Sequence, residues 1–304
     1  MASAATVATA EELELAGGTV AREQVSLWID SWRRFRRNRL ALLAAACLLI
    51  LIVDALVTIF WTPYSMSSVG LLTPYDGPTL AHPLGADDLG RDMLSRIMLG
   101  AQVSLIVGLG TQVLVISVGV VVGLVAGYFR GIIDTVITLI LNVFYGIPDL
   151  LVALILLTIL GSRGLFPIIV AIAVTRWMDM ARLVRGQALS IREREFVEAA
   201  RASGARPHRI LFGHILPNAL GPIIVQATFG IPTAILFEAF LSFLGVGVAP
   251  PTPSWGQMAA DGVKAIRLAP HIVIAPSLAL MVTLLAFNFL GDGLRDAFDP
   301  RQKR

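Results

Sequence analysis

Three carboxylates, Asp54, Asp149 and Glu238, interrupt long apolar stretches. A charge in such a place must be paired, protonated or facing water, so each is a candidate for meeting a polar solute inside a bilayer. Counted from Leu40, Ile133 and Ala219, they lie 14, 16 and 19 residues along their segments, or about 21 to 29 Å at about 1.5 Å per residue. If those segments run outward, all three acids belong to the outer half of the membrane, where one or two of them can receive an ammonium group. Bonding to a neighbouring helix is the competing account of each. Catalytic chemistry is not spelled out elsewhere. The chain has no G-x-x-x-x-G-K-[ST] phosphate loop, and its two lysines, Lys264 and Lys303, follow no such pattern, so it is not expected to hydrolyse ATP itself. His82, His208, His214 and His271 lack ligand spacing, and Cys47 is alone; no metal, cofactor or disulfide is expected.

The longest polar, arginine-rich stretch of the second half is 192–217. It is too charged to cross a bilayer and too rich in helix formers to be a loose linker. Residues 194–203 predict a short helix, Gly204 a left-handed corner and Pro207 the first turn of a second helix. On the first helix Phe196, Ala199, Ala200 and Ser203 recur at i, i+3, i+4 and i+7, with Glu195 and Glu198 beside them. Two alanines admit another backbone, and the carboxylates offer acceptors to a cation. This surface has the character of a docking face.

The elements that must hold these residues are read from hydropathy. Of 304 residues, 56% are hydrophobic and 15% charged, with a mean hydropathy of +0.77; this excludes an ordinary soluble domain and indicates an all-α polytopic membrane protein. Six transmembrane helices are expected: 40–61, 101–128, 132–160 with a kink at Pro148, 165–184, a fifth beginning near Ala219 with a kink at Pro232, and 271–290. Residues 1–31 are expected to be an acidic, partly disordered tail. The first span and an external loop fill 32–100, five spans and the docking loop fill 101–293, and 294–304 form a tail. Arg33, Arg34, Arg36, Arg37 and Arg39 precede the first span, and seven arginines against three glutamates lie in 182–209, so both regions and both ends are expected in the cytoplasm. Arg176, Asp179, Arg182 and Arg185 end the fourth span and can pair with one another at i, i+3. Gly119, Gly123 and Gly127, four apart, give one face of the second span to close helix packing, within this chain or with a partner.

Glu198-Ala199-Ala200, then Gly204, then Leu216-Pro217 resembles the EAA loop of membrane subunits of bacterial ABC importers, and His214 to Asn218, HILPN, narrows the likeness to the dipeptide, oligopeptide and nickel permeases. Three further segments are similar to the C-type subunit of that group. His82 to Ser95 continues through Arg96, Gly100, Ser104 and Leu105, with Ala86 in place of the family's threonine and Gln102 in place of its arginine. Leu241 to Gly256 matches LSFLGxGxxPPTPSWG, and the ending 291–300 matches GDGLRDxxDP. The resemblance implies a type I importer permease fold and half of a translocation pathway for dipeptides or oligopeptides. It implies coupling to ATPase subunits through Glu195, Phe196, Glu198, Ala199, Ala200, Gly204, Arg209 and Pro217, with Gly204 shaping the corner. The implied partners are a second homologous permease, two ATP-binding domains or subunits, an extracytoplasmic solute-binding protein and the bilayer of a bacterial inner membrane; nucleic acid is not among them. Nickel chelates or glutathione are alternative solutes, and an ATP-independent secondary transporter or a non-transporting scaffold is an alternative class.

Overall fold

The structure, a computed structural model, describes residues 27–65, 68–161 and 164–299. Most of the acidic stretch 1–31 and the last five residues lie outside the described residues. Eleven helices in chain order are α1 Leu27–Phe35, α2 Arg39–Val57, α3 Met93–Phe129, α4 Gly131–Tyr145, α5 Asp149–Leu160, α6 Leu165–Ile191, α7 Glu195–Ala202, α8 Pro207–Ile210, α9 Leu216–Phe243, α10 Trp255–Lys264 and α11 His271–Phe298, with a π-helical turn, Leu211–Ile215, joining α8 to α9. No strand occurs among the described residues; one isolated bridge pairs Ala86 with Asp92.

Four helical stretches are long and apolar enough to cross a bilayer: α2, α3, the continuous run Pro207–Phe243, and α11. The α4–α5 pair would make a fifth, although it is bent by 88°. The expected kink at Pro148 is therefore a break. Proline has no backbone donor and its ring excludes the preceding turn, so the helix stops at Tyr145 and restarts at Asp149. The depth assigned to Asp149 by adding residue rises fails for this reason, since the axis turns through nearly a right angle. The expected fourth span, α6, falls outside the apolar set because Arg176, Asp179, Arg182 and Arg185 lie within it.

Those four charges do not pair along α6. They face the bent pair: Arg176 Nη1 lies 3.3 Å from Asp149, the Tyr145 hydroxyl donates to Asp179, Arg182 donates to Asn142 Oδ1 at 3.2 Å, and Arg185 holds Asp134 through two bonds of 2.5 and 2.9 Å. The i, i+3 spacing thus serves an interhelical seam.

The glycines of α3 set the closest helix contact. A Cβ on Gly119 would lie 2.7 Å from Met180 Cβ, one on Gly123 2.5 Å from the Ala181 carbonyl, and one on Gly127 2.6 Å from Ala188 Cβ. The partner numbers rise with the glycine numbers, so α3 and α6 run parallel, and the bent pair carries the chain back between them. These glycines pack within the subunit.

Three further boundaries differ from expectation. Residues 27–31 are helical rather than part of a tail; α1 docks on α11, with Arg34 donating to the Asp299 carbonyl at 2.7 Å. Helix α3 begins eight residues before the expected span, because Asp92 caps it by accepting from the Ser95 amide at 2.8 Å. The segment after Pro253, where no helix is expected, contains α10, capped by Ser254, which accepts from the Gln257 amide.

Candidate coupling surface and polar cleft

The stretch 192–217 folds as a helical hairpin. Helix α7 ends at Ala202, Gly204 takes the left-handed conformation with φ of +78°, and Pro207 stands at the start of α8. A side chain at Gly204 would find open space but a backbone angle that residues with a Cβ rarely adopt. Beyond Pro207 the chain departs from expectation: α8 is no separate short helix, but runs through the π-turn into α9, so that Pro207–Phe243 is one helical stretch of 37 residues.

One residue seats the hairpin. Val197 is fully buried in a cluster with Val184, Ala188, Ile191, Ile210 and Ile215. Its neighbours in sequence point the other way. Glu195, Phe196, Glu198 and Ala199 are exposed, Ala200 is half-buried, and Gly204, Arg209 and Pro217 are exposed. Among the described residues neither Glu195 nor Glu198 forms an ion pair, and Phe196 is 39% exposed with its ring 6.5 Å from that of His214. A cleft of about 960 Å³ opens where the two short helices meet, lined by Ala200, Ser203, Gly204, Arg206, Arg209 and His214. The residue types therefore split cleanly: an apolar foot inward, and a face of acid, aromatic and small side chains outward.

The corner after α3 is tied to the base of the hairpin. Arg192 donates to the Tyr128 carbonyl, and Glu193 lies 3.0 Å from Arg130 and 3.2 Å from Arg192. At the same end, a Cβ on Gly221 would lie 3.3 Å from the Phe298 ring, which brings the end of α11 and, through Arg34, α1 to this side. Both described ends of the chain share one face of the molecule with the hairpin.

The opposite face carries the other marked segments, and there the side chains turn inward. Asp87 accepts from the Leu89 and Arg91 amides and from Arg91 Nε at 2.6 Å, and lies 3.3 Å from Arg96. Asp92 accepts from Ser95, and His82 Nδ1 lies 2.8 Å from it. Trp255 is buried, donates its indole hydrogen to the Ile97 carbonyl at 2.9 Å, and lies against Gly100 so closely that a Cβ there would come within 2.7 Å of its ring. Ala86, which stands where the resemblance has threonine, is fully buried, and Gln102 is half-buried on α3.

Chain comparison gives this arrangement its family. Residues 119–304 match the model of the binding-protein-dependent transport system inner membrane component, and residues 26–80 match that of the N-terminal TM domain of oligopeptide transport permease C. The chain belongs to the binding-protein-dependent transport permeases. It is 40% identical over 285 residues to the oligopeptide transport system permease protein OppC of Bacillus subtilis, covering 94% of this chain and 93% of that one. It is 43% identical over 288 residues to the dipeptide transport system permease protein DppC of the same organism, covering 94% and 89%, and 42% identical over 280 residues to the glutathione transport system permease protein GsiD of Escherichia coli, covering 91% of each. The fold is that of a permease chain in inward-facing structures of the MetNI methionine ABC transporter, with a TM-score of 0.56 at 23% identity, over 68% of this chain and 98% of that one.

The three acids of this permease are not brought to one place. Asp54 is half-buried on α2, apart from the residues that line the clefts between α3, α6 and α9. Asp149 opens α5 and is paired with Arg176. Glu238 is fully buried on α9, where one oxygen accepts from Ser242 at 2.7 Å and the other, Oε2, has no partner among the described residues. Sequence reasoning passed over the residue that does reach open space. Arg176 lines two adjoining clefts, one of about 420 Å³ with Gln112, Asp179, Gln226, Gly230 and Thr233, the other of about 990 Å³ with Thr233, Leu236, Phe237, Phe240 and Phe243. A signal was present: Arg176 lies eleven residues into α6, too deep for a residue merely closing a span.

Proposed function

We propose that this permease forms half of the translocation pathway of an ATP-driven importer of dipeptides or oligopeptides, and that its α7–α8 hairpin is the handle gripped by an ATPase subunit. The carrying observation is the hairpin's construction: an exposed face of Glu195, Phe196, Glu198 and Ala199 on α7, seated by Val197 and joined through the Gly204 corner to a helical run, Pro207–Phe243, that continues into an apolar span. A push on α7 reaches α9 through the Gly204 corner and through the packing of Val197 against Ile210 and Ile215, a path suited to rigid-body switching. The chain's own sequence contains no phosphate loop, so the work comes from two ATP-binding domains or subunits. A second homologous permease completes the path, and an extracytoplasmic solute-binding protein delivers the solute. The hairpin and both ends of the chain lie in the cytoplasm of a bacterial cell, facing inward from its plasma membrane; the arginines flanking α2 and the hairpin support that orientation. Peptide is preferred as solute on the two Bacillus subtilis relatives, and the glutathione relative at similar identity makes that tripeptide the second reading.

Co-purification tests the assembly: a stoichiometric ATPase and a second permease are expected, and a chain that transports alone overturns the reading. The coupling role is tested by Gly204→Val. A β-branched residue at φ of +78° is strained by roughly 1–2 kcal/mol and must reshape the corner. In proteoliposomes, peptide uptake should fall at least tenfold while the complex still assembles and hydrolyses ATP; unchanged uptake removes Gly204 from the mechanism.

A further inference from the structure

We propose that Arg176 is the solute-binding residue of this subunit, and that it takes the carboxylate of a small amphipathic peptide whose apolar side chain lies in the groove along α9. The inference deepens the peptide-import reading and rests on it.

The cleft around Arg176 joins a polar and an apolar compartment at one guanidinium. A guanidinium eleven residues into a helix that packs along the glycine face of α3 is expensive to place and needs either full pairing or a polar ligand. Here pairing is partial. Nη1 lies 3.3 Å from Asp149, while Nε is buried with no hydrogen-bond partner among the described residues. The guanidinium is also stacked over the Phe237 ring, 5.3 Å from its centre, which fixes its plane at the junction of the two clefts. Thr233, exposed, belongs to both clefts, so polar and apolar compartments are contiguous at this point.

The two compartments differ in the chemistry a peptide needs. On one side stand the neutral amides of Gln112 and Gln226, with the Asp179 carboxylate, which accepts from the Tyr145 hydroxyl, on the same wall. Gln112 is held there by the absence of a side chain at Gly230, where a Cβ would come within 2.5 Å of its amide. On the other side Leu236, Phe240 and Phe243, each more than half exposed, line an apolar groove with Phe237. A single guanidinium, already sharing its charge with Asp149, suits a singly charged carboxylate rather than a phosphate. The amides can bond a backbone peptide group, and the groove receives the terminal side chain. The apolar cleft has room for an amino-acid side chain, while the polar one is narrow and admits only the charged end of a ligand. When carboxylate arrives, Asp149 is freed in part from Arg176 and becomes available to the ammonium end.

The test uses the full assembly in proteoliposomes, with ATPase subunits, second permease and binding protein. Its probes are Ala-Phe and Ala-Ala-Ala-Phe, each as free carboxylate and as C-terminal amide, and the binding protein's affinity for all four is measured separately so that its own preference can be divided out. The wild-type complex should favour the carboxylates by about tenfold or more after that correction. Arg176→Gln paired with Asp149→Asn, which leaves no lone charge behind, should bring the ratio near one at whatever absolute rate both forms are then taken up; Arg176→Lys should restore part of it. A ratio unchanged in the paired variant overturns the site. Should that variant fail to assemble, crosslinking decides in the wild-type complex: Ala-benzoylphenylalanine is expected to label residues 233–243, and labelling confined to other helices overturns the site equally. If the wild-type complex moves none of the peptides, the peptide reading itself fails, and the site fails with it.

Discussion

The hairpin at 192–217 and the opposite face, formed by 82–96 and α10, are equally dense in polar residues and glycine, yet they use them in opposite senses. On the hairpin the acids and the phenylalanine are exposed, and Val197 alone of α7 is buried. On the opposite face Asp87, Arg91, Asp92, Ser95, Arg96, Ser254 and Trp255 are each less than 9% exposed and most of them bond to one another. A marked stretch that turns its side chains outward has something outside the chain to meet. One that turns them inward is building the chain itself. Motif density cannot separate the two; burial does.

The contrast is broken most directly at Asp87. Asp87→Ala removes an acceptor of two amides and one guanidinium, leaves Arg96 buried without its carboxylate and Arg91 with only the partly exposed Asp88 at 3.6 Å, and costs about 3–5 kcal/mol. A large drop in the thermal midpoint of the solubilised complex is expected, and a midpoint within about 1 °C of wild type would return this face to the class of docking surfaces. Val197→Ala acts on the one buried residue of α7. Losing two buried methyl groups costs about 2 kcal/mol, and because the cluster holds α7 against α6 and α9, increased proteolysis should appear within 192–217 before it appears elsewhere. Trp255→Phe keeps an aromatic ring and deletes one hydrogen bond to Ile97, for about 1 kcal/mol; a loss beyond about 3 kcal/mol would mean that the indole does more than pin α10 to α3.

The helical class, the arginine-flanked first span, the glycine packing face and the α7–Gly204–α8 outline were legible in the sequence because each depends on local signals: hydropathy, spacing, φ tolerance, caps. What escaped depends on the third dimension. The i, i+3 charges of α6 are spaced for pairing along one helix, and nothing local reveals that Asp149, Tyr145, Asn142 and Asp134 stand opposite them. The break at Pro148 was visible, but its 88° was not, and the angle is what undoes a depth counted along the chain. Asp54, Asp149 and Glu238 were picked out as charges in apolar surroundings; pairing and burial, which sort them, belong to the fold. The same blindness applied to Arg176, whose importance comes from the two clefts it joins rather than from its neighbours in sequence. Helix α10 is short, and the prolines before it resemble a loop until Ser254 is seen capping it.

The smallest stability change belongs to Glu198→Gln, and it separates the two regions most sharply. Glu198 is exposed and makes no ion pair among the described residues, so within this subunit the substitution should alter stability by no more than about 0.5 kcal/mol. If its carboxylate is an acceptor for a cation on an ATPase subunit, the cost falls entirely on the complex. Loss of a charge-assisted hydrogen bond at an interface is worth roughly 1.5–3 kcal/mol, or about ten- to a hundredfold in affinity. Titrating the ATPase onto purified permease pairs measures this, with the melting curve of the permease pair as the internal control. Weakened association with an unchanged melt is the signature of an outward-facing residue. An unchanged affinity would leave Phe196 and the alanine step at Ala199 and Ala200 to hold the partner by apolar contact, and would make the acids of the hairpin solubilising rather than adhesive.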